Sequence, residues 1–458
     1  MPIPRRRFLQ TGGLFAASSC LFPSILRAEN RGTQKLRVAL IGVGGRGREH
    51  VRGLEHEQIV AFCDVDENRA ASSFKRHPNV PRFKDFRVML DRMGKEIDAV
   101  SIAIPDHMHY PVALWVLAHG KHLLVEKPLV RTFEEAMLLK NVAKEAGVIT
   151  QMGNQGHAGD GLRSIQEWIQ GGLIGEVEEV YHWTNRPIWP QGMSQTAPAS
   201  DVPKGLDWDL WQGVAPTRPY ADGIAPFKWR GFRDYGCGAL GDIACHSMDV
   251  SYTALQLGYP TRVSAVSDGL TDLAFPKSAA IDFDFVSKLT GKAVRVHWLD
   301  GGRVAKDVPH VPKGFVEGFV TTSGGKSNNP KPNVNGTFLV GSKGTIFTSM
   351  YGEAPVIFPF SYFRELQKEK ALPEQTLPRV AGGHFKEWTE SIKAGKQPGS
   401  NIVEYAADFT GMVMLGVAAM SVEGELEFDA KAKQFTNNAE ANAFLKSQYA
   451  YRKEFLVS

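Results

Sequence analysis

The sequence predicts a two-domain α/β protein. An N-terminal, doubly wound parallel sheet precedes a second α/β domain with a large, open-faced and mostly antiparallel sheet. Three observations predict this fold: short apolar runs alternate with helical patterns over residues 35–153, a glycine-rich turn follows the first apolar run, and the strict alternation stops after Gly153. At 458 residues the chain is long enough for two cores of ordinary size.

Apolar runs and amphipathic stretches alternate along the first half of the chain. Continuous β-branched strands separated by amphipathic helices indicate a parallel sheet covered on both faces, the Rossmann architecture that binds dinucleotides. The predicted strands are residues 37–41, 58–63, 98–104, 122–125 and 148–152, and the predicted helices are residues 46–54, 67–77, 86–93, 110–119 and 132–146. We therefore expect a Rossmann domain over residues 35–153.

The turn after the first strand has the pattern G-x-G-x-x-G, after a strand and before a helix, as dinucleotide binding requires. Gly42 would make the tight turn, Gly44 would let the backbone approach a pyrophosphate, and Gly47 would allow close packing of strand and helix. The phosphates would lie at the N-terminus of the following helix, whose free N–H groups favour anions. Gly45 and Arg46 complete the turn and are predicted cofactor contacts.

An acidic residue occupies the position that contacts the ribose in such domains. Asp64 ends the second predicted strand, twenty residues after Gly44, and its carboxylate can accept hydrogen bonds from both ribose hydroxyls. The same carboxylate would repel a 2′-phosphate, so the predicted cofactor is NAD and NADP is less favoured. The glycine pattern alone would also fit a turn that binds no ligand.

Residues 104–109 follow a predicted strand at its carboxyl end, the edge where doubly wound sheets bind ligands. Ile104, Pro105 and His109 are predicted cofactor contacts in this turn. His107 and His109 have no third ligand in register, so they are more typical of caps or cofactor contacts than of a metal site, and no metal is predicted.

A second turn at the same edge is Glu126-Lys127-Pro128. A lysine at a strand end that faces the nicotinamide pocket is placed to hold a substrate hydroxyl or to share its proton. The alternative is an ordinary solvated lysine. Glu126 and Lys127 are both predicted to contact the cofactor, and Lys127 is a candidate catalytic residue.

The second half, residues 154–458, is predicted to form a domain for substrate binding and oligomerisation. Residues 178–183, 262–267, 280–286, 293–298, 337–340 and 344–347 have strand patterns with few long helices between them. They predict a mixed or antiparallel sheet that is open on one face, a surface that often serves oligomerisation. Within this half, residues 187–229 are rich in Trp, Pro and Gly; the indole rings either stack on sugar rings or anchor the loop in a core.

A glycine-rich segment at residues 236–241 leads into a predicted helix. Asp242 and His246 are four residues apart, so they share one face of this helix at about 6 Å. A carboxylate and an imidazole at that spacing are suited to bind and deprotonate a hydroxyl. Asp249 extends the same face and is an alternative partner that would orient His246. A helix cap and an ordinary core histidine are the structural alternative.

These motifs, in this order, resemble the Gfo/Idh/MocA oxidoreductase family. The matching positions are residues 38–47, Cys63-Asp64-Val65-Asp66, Pro105 with His109, Glu126-Lys127-Pro128, Gly153-Asn154 and the helix with Asp242 and His246. The resemblance implies a Rossmann domain followed by an α/β domain whose open sheet mediates assembly. It also implies that Lys127, Asp242 and His246 lie over the nicotinamide and that Asn154 contacts the cofactor. Many members have arginine near Asn154, so the substrate stays open.

The leading functional hypothesis is hydride transfer between NAD and a carbon that bears a hydroxyl of a sugar, glycoside or polyol. His246 would be the base, Lys127 would hold or relay the proton, and Asp242 would bind a neighbouring hydroxyl. The alternative is an exported glycosidase that uses tightly bound NAD through transient ring oxidation, elimination, hydration and re-reduction. It needs a second base, for which Tyr235 and His157 are candidates. A third class is a sensor that binds dinucleotide without turnover.

Residues 1–32 are predicted to be a targeting segment and linker, outside the fold. The segment Arg5-Arg6-Arg7-Phe8-Leu9 resembles a twin-arginine signal, and the apolar stretch 12–26 behind it is too short to span a bilayer stably. A disordered basic tail is the alternative. We expect an exported or periplasmic protein without stable membrane insertion after signal removal.

Charge and cysteine usage exclude other classes. Without the four arginines of residues 1–28, acidic and basic residues are equal in number, so a nucleic-acid partner is not supported. Apart from Cys20, the cysteines are Cys63, Cys237 and Cys245, and an odd number argues against a disulfide framework.

Overall fold

The computed structural model describes residues 34–313, 315 and 335–457. The predicted targeting segment and linker, residues 1–32, therefore lie outside the described residues. Within the described ranges the chain forms two sheets, each with its own helical layers, as the sequence predicts.

Six parallel strands form the first sheet, in the order β3-β2-β1-β4-β5-β6. The strands are β1 (Arg37–Ile41), β2 (Gln58–Cys63), β3 (Arg82–Phe83), β4 (Ala99–Ile102), β5 (His122–Val125) and β6 (Thr150–Met152), and the helices are α1 (Gly47–Gly53), α2 (Glu67–Arg76), α3 (Phe86–Met93), α4 (His109–Ala118) and α5 (Phe133–Ala146). The predicted doubly wound parallel sheet is confirmed. Because the strand order reverses beside β1, a crevice opens at the carboxyl ends of β1 and β4, where such sheets bind ligands.

Nine strands form the second sheet, in the order β13-β12-β11-β7-β10-β9-β8-β14-β15. The strands are β7 (Val177–Trp183), β8 (Arg262–Asp268), β9 (Ser278–Val286), β10 (Ala293–Leu299), β11 (Gly336–Gly341), β12 (Thr345–Thr348), β13 (Val356–Phe358), β14 (Glu425–Asp429) and β15 (Gln434–Phe435). Within this sheet β10 pairs in parallel with β7, and the other described pairs are antiparallel. The predicted, mostly antiparallel sheet is confirmed.

Seven further helices follow β6 in the described part of the chain. They are α6 (Asp160–Gln170), α7 (Trp208–Gln212), α8 (Gly238–Ala254), α9 (Phe360–Lys368), α10 (Gly383–Ala394), α11 (Ala407–Ala419) and α12 (Ala439–Ala443). Along β9, buried and partly exposed residues alternate, so the sheet has one covered face and one open face. Helices α8 and α11 pack on the covered face. Oligomerisation through the open face stays a prediction.

One described helical segment is long and apolar enough to span a membrane by length and composition. It runs over Ile402–Ala419 with a mean hydropathy of 1.4 and combines a π-helical turn with α11. In the structure 72% of this segment is buried inside the protein, where it packs against α5 and α8. Its apolar composition is therefore accounted for by packing within the core.

A helix from late in the chain completes the core of the first sheet. Trp388 of α10 is fully buried, and it packs with Ile392 against a cluster that contains residues of β1. The ring of Phe385 lies so close to Gly53 that a Cβ there would stand 2.1 Å from it. The domain boundary between residues 153 and 154 stays a prediction. Helix α10 follows this boundary in the sequence but packs on the first sheet.

Candidate active site

A cavity of about 490 Å³ starts at the glycine-rich turn of the first sheet and reaches the beginning of α8. Residues of both sheets' domains line it. Of the fourteen predicted site residues, eleven line the cavity: Gly42, Gly44, Gly45, Arg46, Asp64, Ile104, Pro105, Glu126, Lys127, Asp242 and His246. The other three, Gly47, His109 and Asn154, lie outside its described lining.

The glycine turn has the close contacts that its pattern predicts. Gly42 has a φ of +78°, and a Cβ there would stand 2.2 Å from the carbonyl oxygen of Ala103 on the neighbouring strand connection. A Cβ on Gly47 would stand 2.0 Å from the carbonyl oxygen of Gly42. Side chains are excluded at both positions, and the turn keeps backbone on the cavity wall. This cradle fits the phosphates of a dinucleotide.

Asp64 lies at the carboxyl end of β2 and holds the glycine turn. Its Oδ2 accepts hydrogen bonds from the backbone N–H groups of Val43 at 2.8 Å and Gly44 at 3.2 Å, and its Oδ1 accepts one from Asp66. Burial raises the pKa of Asp64, while these backbone N–H groups oppose the shift. The predicted contact with ribose hydroxyls stays a prediction; the carboxylate lines the cavity at the place where it is expected.

The carboxylate of Glu126 is hydrogen-bonded to neighbouring side chains. Its Oε1 accepts hydrogen bonds from Nε of Arg46 at 2.6 Å and from Nε2 of His50 at 2.9 Å. Burial would raise the pKa of Glu126, but His50 and Arg46 outweigh it and hold the pKa well below its usual range. Glu126 therefore fixes Arg46 of the glycine turn to the strand end that carries Lys127.

Lys127 and Asp242 form a direct ion pair between the two domains. Nζ of Lys127 donates hydrogen bonds to Oδ1 of Asp242 at 2.8 Å and to its backbone carbonyl oxygen at 2.6 Å. Burial lowers the pKa of Lys127, but the carboxylates of Asp242 and Glu126 outweigh it and raise the pKa. Burial alone would raise the pKa of Asp242, but Lys127 and Arg230 outweigh it and hold this pKa below its usual range. Both groups are charged at neutral pH.

His246 lies one helical turn after Asp242, on the first turns of α8. Burial and, to a smaller extent, the ammonium of Lys127 lower its pKa to about 3. The imidazole is therefore neutral at physiological pH, and one of its ring nitrogens is a hydrogen-bond acceptor. Its Nδ1 is buried and has no hydrogen-bond partner among the described residues. The ring packs edge-on against Tyr351, with centroids 4.8 Å apart.

Asp249 does not orient His246, because other side chains use its carboxylate. It accepts hydrogen bonds from Nδ1 of His157 at 2.9 Å, from Nδ2 of Asn154 at 3.1 Å and from the hydroxyl of Tyr405. Asn154 thus belongs to a buried network behind the cavity, and its predicted cofactor contact stays a prediction.

The histidines of residues 104–109 contact backbone oxygens. Nε2 of His107 lies 3.1 Å from the carbonyl oxygen of Trp211, and the two ring nitrogens of His109 lie 2.7 Å and 2.9 Å from the carbonyl oxygens of Pro128 and Ile104. In the described ranges, no group of three or more His, Cys, Asp or Glu side chains could hold a metal ion.

The Trp-rich insert covers the cavity from the second domain. Trp189, Trp211 and Trp229 line it, and Trp211 and Trp229 also belong to an apolar cluster that anchors the loop. The insert also binds the segment after β2: the N–H of Asp207 donates to the carbonyl oxygen of Val65 at 2.8 Å, and two residues further along the N–H of Glu67 donates to that of Gly205 at 3.0 Å. These bonds hold the insert beside Asp64 at the end of β2.

Several cavity residues were not predicted from sequence. Asp106, Arg186, Arg230 and Tyr351 line the cavity beside Lys127 and His246. Asp106 lies within the turn 104–109 that the sequence did indicate. The others come from loops and a turn without a motif, so no signal in a single sequence marks them.

A Rossmann sheet and an open α/β domain that share one charged cavity define a two-domain oxidoreductase. The family model described as an oxidoreductase family with an NAD-binding Rossmann fold matches residues 36–154, and the model of that family's C-terminal alpha/beta domain matches residues 164–264. Residues 36–154 and 164–264 of the chain thus belong to this family, the Gfo/Idh/MocA oxidoreductases. Its first domain is thus an NAD-binding domain.

Curated relatives match part of the chain. A levoglucosan dehydrogenase of Pseudarthrobacter phenanthrenivorans is 26% identical over 231 residues, 48% of this chain and 50% of that protein. A glycosyl hydrolase family 109 protein of Shewanella pealeana is 28% identical over 204 residues, 39% of this chain and 45% of that protein. The chain spans about half the length of these relatives. A solved levoglucosan dehydrogenase with NADH and levoglucosan has a TM-score of 0.57 at 17% identity, covers 86% of this chain and 99% of that one, and shows the shared fold.

The buried carboxyl of Asp106 makes a pH-dependent contribution to stability. Burial raises its pKa to about 7, well above the value of about 3.9 in an unfolded chain. The folded protein therefore loses stability as the pH rises from about 4 to about 7, and that loss persists above pH 7. We expect the free energy of unfolding of Asp106→Asn, measured relative to the parent, to be roughly 2–3 kcal/mol higher at pH 8 than at pH 5. Thermal unfolding at both pH values measures this difference.

The exposed residue Asp201 provides the matched control. Asp201→Asn should change the melting temperature equally at pH 5 and pH 8. An equal change for Asp106→Asn at both pH values would contradict the raised pKa.

Proposed function

We propose that this protein is an NAD-dependent oxidoreductase that acts on a hydroxyl group of a sugar, glycoside or polyol. The observation that carries the proposal is the ion pair between Lys127 and Asp242, with neutral His246 one turn further along α8, in a cavity that begins at the glycine turn. The names of the relatives support the substrate class, since one is a levoglucosan dehydrogenase and another an inositol 2-dehydrogenase.

The first domain holds the cofactor in this proposal. The cradle of Gly42 and Gly47 receives the phosphates, and Asp64 faces the ribose and disfavours a 2′-phosphate. Bound NAD would supply the acceptor for a hydride from the carbon that carries the substrate hydroxyl. The insert bonded to Val65 and Glu67 encloses the ribose side, which favours retention of the cofactor during purification.

Residues of both domains supply the proton chemistry. In this proposal His246 accepts the proton of the substrate hydroxyl, a role that requires a neutral ring, as His246 has. The ammonium of Lys127 holds the hydroxyl oxygen and stabilises the negative charge that develops as the proton leaves. Asp242 keeps Lys127 in place and accepts a hydrogen bond from a neighbouring substrate hydroxyl.

Substitution of the proton-transferring residues tests these roles. Because a positioned acid or base contributes about 10²–10⁴-fold, His246→Ala and Lys127→Ala should each lower turnover by roughly that factor, while NAD affinity stays within a few-fold. Asp242→Ala should act more through KM, because its contact with substrate exists before and during the reaction. Steady-state kinetics on the first active sugar and NAD titration measure both effects.

Two variants serve as controls for this test. His246→Asn keeps a polar side chain without a base and should be as impaired as His246→Ala. Lys95→Ala removes an exposed lysine of the first domain that does not line the cavity, and this variant should keep the parent's turnover. Near-normal turnover of His246→Ala would assign the base to another group, with Lys127 the next residue to test.

A specific observation also favours a second candidate, a glycosidase with tightly bound NAD. This chemistry needs a second proton-transferring group, and Tyr351 supplies one: its ring contacts His246, and its hydroxyl makes no hydrogen bond among the described residues. Burial raises the pKa of Tyr351, so the phenol is neutral. The earlier candidates, Tyr235 and His157, lie outside the described cavity lining. Relatives named glycosyl hydrolase family 109 proteins support this candidate.

The release of NADH separates the two candidates. A dehydrogenase produces one NADH for each substrate oxidised, whereas the glycosidase cleaves a nitrophenyl glycoside without net NADH. Absorbance at the wavelengths of NADH and nitrophenol, measured with a panel of sugars and glycosides, follows both products. For the glycosidase, Tyr351→Phe should abolish cleavage; a cleaving enzyme that tolerates Tyr351→Phe would exclude this role.

We also propose that the protein is exported through the twin-arginine route and assembles through the open face of its second sheet. The support is the segment Arg5-Arg6-Arg7-Phe8-Leu9 and the exposed face of the nine-stranded sheet. Replacing Arg5 and Arg6 with Lys should hold the protein in the cytosol, as cell fractionation would show. Export of this double variant at the parent's level would contradict the proposed signal.

A further inference from the structure

Positive side chains outnumber carboxylates at the end of the cavity that contains Lys127. Arg186 and Arg230 line the cavity there, and with Lys127 they face a single carboxylate, that of Asp242. The contacts are unequal. Lys127 Nζ lies 2.8 Å from Asp242 Oδ1 and Arg230 Nε lies 3.3 Å from it, whereas Arg186 Nε lies 3.8 Å from Oδ2. Asp242 thus chiefly neutralises Lys127. The positive charges of the two guanidinium groups are only partly compensated.

The other carboxylates nearby do not restore the balance. Asp106 lines the cavity, but burial raises its pKa to about 7, so at neutral pH it is only partly ionised. The carboxylate of Glu126 is taken up by Arg46 and His50. This end of the cavity therefore keeps a net positive charge.

Both arginines have the form of a prepared anion site. The guanidinium of Arg230 stacks over the ring of Trp229 at 4.2 Å and that of Phe227 at 4.9 Å, and these cation–π contacts fix its orientation. Nη1 of Arg186 donates to Asn185, while Nε of Arg186 is buried and has no hydrogen-bond partner among the described residues. A guanidinium has five N–H donors, so both side chains retain donors for a ligand.

We propose that the substrate is an anionic sugar, one that carries a carboxylate or another oxyanion, and that Arg186 and Arg230 bind this group. The inference rests on the proposed function, which places a sugar beside Lys127 and His246. The cofactor does not supply the missing anion, because its phosphates belong at the glycine turn and its oxidised nicotinamide ring is positive. A neutral sugar leaves the surplus charge uncompensated, whereas the planar fork of an arginine matches a carboxylate.

Matched sugar pairs test this inference by binding alone. The full chain loaded with NAD is titrated with D-glucuronate against D-glucose and with D-galacturonate against D-galactose. Glucose 6-phosphate and glucose 6-sulfate form separate arms that distinguish the source of the oxyanion. Tryptophan fluorescence reports binding, because Trp189, Trp211 and Trp229 line the cavity. At least one anionic sugar should bind tenfold or more tightly than its neutral partner, and added NaCl should reduce this advantage.

Substitutions assign the advantage to the two arginines. Arg186→Gln and Arg230→Gln should each reduce the ratio of anionic to neutral affinity by about tenfold or more, and Arg186→Lys should retain part of it. Arg295→Gln is the matched control, because Arg295 pairs with Asp284 on the open face of the second sheet. The ratio compares two ligands on one variant, so a general loss of folding lowers both affinities and leaves the ratio unchanged.

The outcomes separate this inference from the proposed function. Equal or weaker binding of every anionic sugar, or an advantage that survives both substitutions to Gln, overturns the inference; NAD-dependent oxidation of a neutral sugar then leaves the proposed function intact. Arginine-dependent binding of an anionic sugar without any redox or glycosidase turnover supports the anion site and counts against the proposed function.

Discussion

The ion pair between Lys127 and Asp242 fixes the geometry of the site. Lys127 follows β5 of the first domain, Asp242 begins α8 of the second, and the ammonium also binds the backbone oxygen of Asp242. Removing one partner of a buried pair typically costs about 3–5 kcal/mol, so the strand end and the helix are held in one arrangement. His246, one turn along α8, and Arg46, tied through Glu126 to the same strand end, take their positions from it.

Local patterns were enough to predict the sheets and the centre of the site. All five predicted strands of the first sheet overlap an observed strand, because apolar runs bounded by turns leave little choice of structure. The shared helix face of Asp242 and His246 follows from helical spacing, and the position of Lys127 at a strand end follows from the parallel sheet. The two-residue strands β3 and β15 are too short to give any periodic signal.

Long-range contacts decided what the sequence could not. Arg186, Arg230 and Tyr351 come from segments far apart in the chain, and only the folded protein brings them to one cavity. Competition between partners is equally hidden: Asp249 lies on the same helix as His246, yet its carboxylate binds His157 and other groups instead. Spacing gives the candidates for a hydrogen bond, and tertiary packing selects among them.

The packing of Trp388 has a consequence for the order in which the protein is built. The core beside β1 includes this indole, which the ribosome adds long after the six strands of the first sheet. Until then the emerging nucleotide-binding sheet has an uncovered apolar area, and its helices lack one packing partner. The first domain to be synthesised thus cannot complete its core until Trp388 has been made, and the nascent chain depends on its own C-terminal third to finish its beginning.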